Sequence, residues 1–82
     1  MALAKGIQDE RYRSLIQRLI DARIERGISQ AAFAQEIGRR RQFVSKYETG
    51  ERRLDAVELI DLALALDLDP LLEFQRVVLP PR

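Results

Sequence analysis

The chain of 82 residues contains no cysteine and no histidine. The first absence rules out a disulfide staple. The two together exclude ordinary zinc sites, and they leave the usual nucleophilic and acid–base constellations without their main members. No metal, no cofactor and no enzymatic activity are therefore expected. No apolar run approaches the ~20 residues that span a bilayer, and no signal-peptide pattern opens the chain. The expectation is a soluble, cytoplasmic module with no membrane partner. This length allows one domain with a small core and leaves no room for a separate ligand-sensing domain.

Net charge is only +1, but it is unevenly spread. Residues 39–53 carry six cations, Arg39, Arg40, Arg41, Lys46, Arg52 and Arg53, against Glu48 and Glu51, a net of +4. Residues 54–82 carry Arg76 and Arg82 against six carboxylates, a net of −4. Such a division suits a protein that turns one face to a polyanion and the other away from it.

Residues 1–8 carry no strong pattern and read as a loose N-terminal segment; residues 9–76 read as the domain. A first helix is expected from Asp9 to Arg26, with Leu15, Ile16, Leu19, Ile20 and Ala22 as its apolar stripe and Gly27 as its stop. Ser29 can cap a second helix beginning at Gln30, along which Phe33, Ala34 and Ile37 recur at helical spacing before Gly38. A third helix, Arg41 to Thr49, places Val44 and Tyr47 inward and stops at Gly50. Asp55 and Glu58 form a capping-box pattern for a fourth helix running to about Leu66, with Leu59, Ile60, Ala63 and Leu66 inward. Asp69-Pro70 reads as a cap and first position of a short fifth helix ending at Arg76. Residues 77–82 then form a tail that cannot be helical at its prolines.

The second and third helices, joined by a tight glycine-containing turn, have the layout of a helix-turn-helix. The outward face of the third carries Arg41, Gln42, Ser45 and Lys46, long or polar side chains suited to base edges in a major groove. Arg39-Arg40-Arg41 places cations at a helix N-terminus, where they oppose the dipole; phosphates would relieve that conflict. Phe43 falls off the inward stripe, and its ring suits either a thymine methyl or sugar, or the cover of the fourth helix. Arg52 and Arg53 cluster with Arg40 around the third helix as phosphate candidates.

The set Arg23, Gly27-Ile28-Ser29-Gln30, Phe33-Ala34, Ile37-Gly38, Val44-Ser45, Tyr47-Glu48 and Gly50 resembles the lambda-repressor-like helix-turn-helix family, the Cro/C1 or XRE type. The run Leu59-Ile60…Ala63-Leu64-Ala65-Leu66 fits the family's fourth helix, so the likeness covers about residues 10–75. It implies an all-α bundle of five short helices, sequence-specific binding of double-stranded DNA and a homodimer. It places Gln30 on a phosphate, Arg41, Gln42, Ser45 and Lys46 at base-reading positions, and Arg23 with Glu48 as a pair tying the first helix to the end of the third. Two positions depart from the pattern: Arg40 stands where Ser or Thr usually caps the reading helix, and Leu54 stands near the usual proline before the fourth.

The expected function is a repressor-like transcriptional regulator, nucleoid-associated, that binds a palindromic operator. Leu71, Leu72, Phe74, Val77, Val78 and Leu79 exceed what so small a core can absorb, and mark a dimer contact in the C-terminal third. The rival is a protein-interaction or antitoxin-type module that uses the same fold toward a protein partner such as a toxin.

Overall fold

The computed structural model describes residues 9–79; the loose segment expected at 1–8 and the prolines at 80 and 81 lie outside the described residues. Five helices follow one another: α1 (Glu10–Glu25), α2 (Gln30–Glu36), α3 (Arg41–Thr49), α4 (Ala56–Ala65) and α5 (Pro70–Val78). The described residues are all-α, with no strand.

Local chemistry sets most of the boundaries. Asp9 caps α1 by accepting from the Arg11 N–H at 2.8 Å, and Ser29 caps α2 by accepting from Ala32 at 3.0 Å. Asp55 and Glu58 complete a reciprocal capping box at the start of α4, which satisfies two amide donors that a helix N-terminus otherwise leaves without partners. Gly38 between α2 and α3 has φ +69°, and Gly50 after α3 has φ +88°; in this left-handed region a Cβ would be strained. At the end of α4 the same role falls to Asp67, at φ +59°, a short polar residue that tolerates it better than most.

α5 runs two residues beyond the expected stop at Arg76, so Val77 and Val78 belong to a helix and not to a tail. It ends at Leu79, which has left the helical region (φ −123°, ψ 70°). Leu79 precedes Pro80, and the ring of a proline disfavours helical backbone in the residue before it.

The core gathers Tyr12, Ile16, Leu19 and Ala22 of α1, Phe33 and Ala34 of α2, Val44 and Tyr47 of α3, Leu54 of the following connection, and Leu62, Ala63 and Leu66 of α4 and its end. Phe33, Val44 and Tyr47 are wholly enclosed. Burial of Phe or Val on this scale contributes roughly 1.5–3 kcal/mol each. Two expectations for α4 and α1 are corrected. Ile60 points outward, 37% exposed, and Leu62 is buried in its place; Leu59, Leu62, Ala63 and Leu66 lie on one face at helical spacing, with Ile60 about 100° from Leu59 around the axis. Tyr12, absent from the expected stripe, is buried one turn before Ile16, and its hydroxyl accepts from the Leu54 N–H at 3.0 Å. That bond satisfies a backbone donor in the connection that enters α4.

Candidate nucleic-acid interface

α3 is divided lengthwise. Val44 and Tyr47 anchor it in the core, while Arg41, Gln42 and Lys46 are exposed and Ser45 is half-buried. At 100° per residue the four polar positions centre nearly opposite the two buried ones. Arg40 occupies the N-cap, and its side chain makes no cap hydrogen bond. The first amides of α3 thus lack a side-chain acceptor at an end where the dipole is positive and three consecutive arginines stand.

The orientation of α3 is set by a cluster on its last turn. Arg23 of α1 forks onto Glu48, Nε to Oε2 at 2.8 Å and Nη2 to Oε1 at 3.1 Å. Its Nη1 donates to the Ile28 carbonyl at 2.7 Å, and Gln30 Nε2 donates to Glu48 Oε1 at 2.9 Å. The Arg23 and Glu48 side chains are only 12% and 6% exposed. The hydrogen bond to Glu48 holds the Arg23 guanidinium above its usual pKa, with burial opposing. One carboxylate therefore ties the end of α1, the turn at Ile28 and the start of α2 to the end of α3. The side-chain amide of Gln30, a phosphate candidate, is engaged inward through one N–H, which leaves its second N–H and its backbone amide at the N-terminus of α2.

The remaining phosphate candidates divide. Arg40 makes no side-chain hydrogen bond or ion pair among the described residues, and neither do Arg41, Gln42, Ser45 and Lys46. Arg53 lies over the Tyr12 ring, its guanidinium carbon 5.7 Å from the centroid. Arg39 and Arg52 instead converge on Glu58. Arg52 forks onto both carboxylate oxygens at 3.1 and 2.9 Å, and Arg39 Nη2 reaches Oε2 at 3.1 Å. Their guanidinium carbons also lie 4.1 and 4.9 Å from the centroid of the Phe43 ring. The Arg52 bond is the main reason the Glu58 carboxyl is held below its ordinary pKa. A phosphate could take the two-bond fork of Arg52 only by displacing Glu58, whereas Arg39 engages the carboxylate through Nη2 alone.

Phe43 is half-buried and meets Tyr47 edge to face at 5.5 Å. It shares a small cleft with Ile37, Glu58 and Leu62, so the ring covers the α4 side of the domain. Glu58 and Phe43 were not recognisable as partners of the two arginines from their spacing. Glu58 carries a capping-box signal that accounts for it locally, and nothing in the chain marks its long reach to Arg39.

At the far end of the molecule, Leu71, Leu72, Val78 and Leu79 are between 56% and 78% exposed. Phe74 and Val77 are half-buried; Phe74 lines a small cleft with Leu15, Leu19, Leu59 and Ala63. No helix among the described residues is long and apolar enough to cross a membrane, and no cluster of acidic residues among them could hold a metal ion.

Comparison with known proteins agrees with this architecture. The helix-turn-helix family pattern matches residues 19–72, well over half the chain. A solved structure of an XRE-family like protein from Pseudomonas syringae pv. tomato str. DC3000 is similar at 38% identity and a TM-score of 0.77, over 87% of this chain and 88% of that one. No curated protein matches.

Proposed function

This chain belongs to the helix-turn-helix family and is a DNA-binding regulator of the XRE type; from that premise we propose that it is a repressor-like homodimer that reads a palindromic operator through α3. The observation that carries the proposal is the lengthwise division of α3. Its inner face is locked by two wholly buried side chains and by Glu48, and its outer face offers Arg41, Gln42, Ser45 and Lys46 without competing partners among the described residues. Arg and Lys suit guanine O6 and N7, and Gln suits adenine N6 and N7.

Phosphates are held by Gln30, Arg40 and Arg53 in this proposal. A phosphate at Arg40 answers the missing cap of α3, because it brings an anion to the amides and the dipole together. The exposed leucines and valines of α5 join two copies. With the dimer axis there, the two reading helices face one side of the duplex, about 34 Å apart, and the acidic third lies away from phosphate. Such a protein works in the cytoplasm, at the nucleoid.

Selection of bound sites from a random duplex library, followed by affinity measurements on the selected and random sequences, tests this reading. Gln42→Ala and Lys46→Ala should each cost ~1–3 kcal/mol on the selected site and much less on random duplex. Equal losses on both would remove these residues from base reading. Failure of the library to yield any preferred sequence would remove the operator itself.

A further inference from the structure

Resting on the reading that duplex DNA is the ligand, we propose that Glu58 stands in for a phosphate: it holds Arg39 and Arg52 back from DNA and thereby limits binding to duplex of any sequence. Glu58 Oε2 accepts from Arg39 and Arg52, and Oε1 accepts from Arg52 and from the Asp55 backbone N–H at 3.1 Å. Four donors match the roughly four lone-pair sites of a carboxylate. The fork made by Arg52 has the planar, two-bond geometry that a guanidinium also presents to a phosphate.

The restraint is geometric as well as electrostatic. Both guanidinium groups lie over the ring of Phe43, an arrangement that attracts a cation to an aromatic face. Phe43 itself is set by its contact with the buried Tyr47. The Glu58 side chain is 15% exposed, whereas Arg39 and Arg52 remain 46% and 39% exposed. The two cations are thus fixed at the surface with one negative charge already between them. Sequence-independent binding comes almost wholly from cations that displace counterions from phosphate. Two further free arginines beside α3 would add affinity for every duplex and read no base. Holding them on Glu58 favours the ratio of specific to non-specific binding, the quantity that matters among many competing sites.

Glu58→Gln tests the proposal, because the amide oxygen can still accept the Asp55 N–H in the capping box while the charge is lost. Affinity for a random-sequence duplex is measured against salt for the wild type and the variant. The expected result is tighter binding at low salt and a slope of log affinity against log salt steeper by about 0.9 for each arginine released. Glu51→Gln removes a carboxylate next to Arg52 in the chain that makes no ion pair among the described residues; its slope should stay at the wild-type value. In an Arg39→Ala, Arg52→Ala background, Glu58→Gln should produce no steepening. An unchanged slope in Glu58→Gln overturns the proposal, as does equal steepening in Glu51→Gln or steepening that persists without the two arginines. Should Glu58→Gln fail to fold, the double alanine variant with Glu58 intact decides: a wild-type slope supports the proposal, and a slope flatter by about 1.8 overturns it. If the wild type binds no duplex at all, the DNA reading fails and takes this proposal with it; duplex binding with any of the overturning slopes removes this proposal alone.

Discussion

Helices α3 and α5 are each nine residues long, yet they are held in opposite ways. α3 has poor local credentials. Its N-cap is Arg40 with no side-chain bond, and its first turn has no acidic residue. Nevertheless it places Val44 and Tyr47 in complete enclosure. α5 has Asp69 accepting from the Leu71 N–H at 2.9 Å, Pro70 in its first turn, Glu73 also in its first turn and Arg76 in its last. It has no fully buried residue. A good cap contributes ~1 kcal/mol, and enclosure of one large apolar side chain contributes roughly 1.5–3 kcal/mol. A helix anchored by its core face can carry, on its outer face and at its N-terminus, groups that weaken it as a helix and suit a ligand. α5, docked through the half-buried Phe74 and Val77 and capped at its start, leaves Leu71, Leu72 and Val78 exposed.

The comparison breaks most visibly at Glu48. Glu48→Ala leaves the largely buried Arg23 guanidinium with the Ile28 carbonyl alone, and removal of one partner from such a pair costs ~3 kcal/mol or more. Urea unfolding measures the loss. A change under about 1 kcal/mol, within the range of exposed pairs, would show that α3 does not depend on this tie.

Paired substitutions sharpen the contrast between the two helices. Val44→Ala should cost ~2 kcal/mol, the transfer energy of the lost methyl groups plus the cavity they leave. Leu72→Glu on α5 should change unfolding of the monomer by less than about 0.5 kcal/mol, while it abolishes association in sedimentation at tens of micromolar, roughly where a weak dimer forms. Comparable destabilisation by both would mean that α5 is held by its leucines after all. A wild type that stays monomeric at that concentration would remove the dimer.

Arg40 separates the stability of α3 from its proposed use. Arg40→Ser supplies the missing cap, and thermal unfolding should show a gain of ~1 kcal/mol. The same variant should bind duplex more weakly, with a salt slope flatter by about 0.9. A gain in stability with no loss of binding would place Arg40 away from phosphate.

The smallest effect belongs to Tyr47, whose buried hydroxyl has no hydrogen-bond partner among the described residues. Tyr47→Phe should therefore be neutral to stabilising at pH 7, since a buried hydroxyl without a partner has lost its water and gained no bond in return. Burial is the main cause that pushes the Tyr47 phenol well above its ordinary pKa, with the neighbouring Glu48 charge acting the same way and Arg23 opposing. The unfolded chain releases this proton near pH 10 and the folded chain only at higher pH. Stability is thus whole below about pH 10 and declines as pH rises toward the raised folded value. Denaturant titrations at alkaline pH should show a shallower decline for Tyr47→Phe than for the wild type. Identical declines would place the cause in other groups.

Helix order, the capped starts at Ser29, Asp55 and Asp69, and the glycine stops were legible in the chain because each depends on groups within a few residues of one another. The division of α3 was legible for the same reason: one helical period sorts Val44 and Tyr47 from Gln42 and Lys46. Which apolar residues are buried was less so. α4 is apolar around most of its circumference, and only its docking chose Leu62 over Ile60. The inward turn of Tyr12 depended on an unpaired amide at Leu54, 42 residues away. The fate of the basic run was least legible of all. Arg39, Arg40 and Arg41 are adjacent and alike in sequence, yet Arg39 is bound to a carboxylate 19 residues further on while Arg40 and Arg41 have no such partner among the described residues. Sequence by itself determined the helix order, the capped starts of α2, α4 and α5 and which face of α3 turns outward, since those are short-range matters of hydrogen bonding and periodicity. Only the tertiary structure decided which charges remain available, because an ion pair depends on distance in space, and the fold brings the turn before α3 and the connection after it together at Glu58.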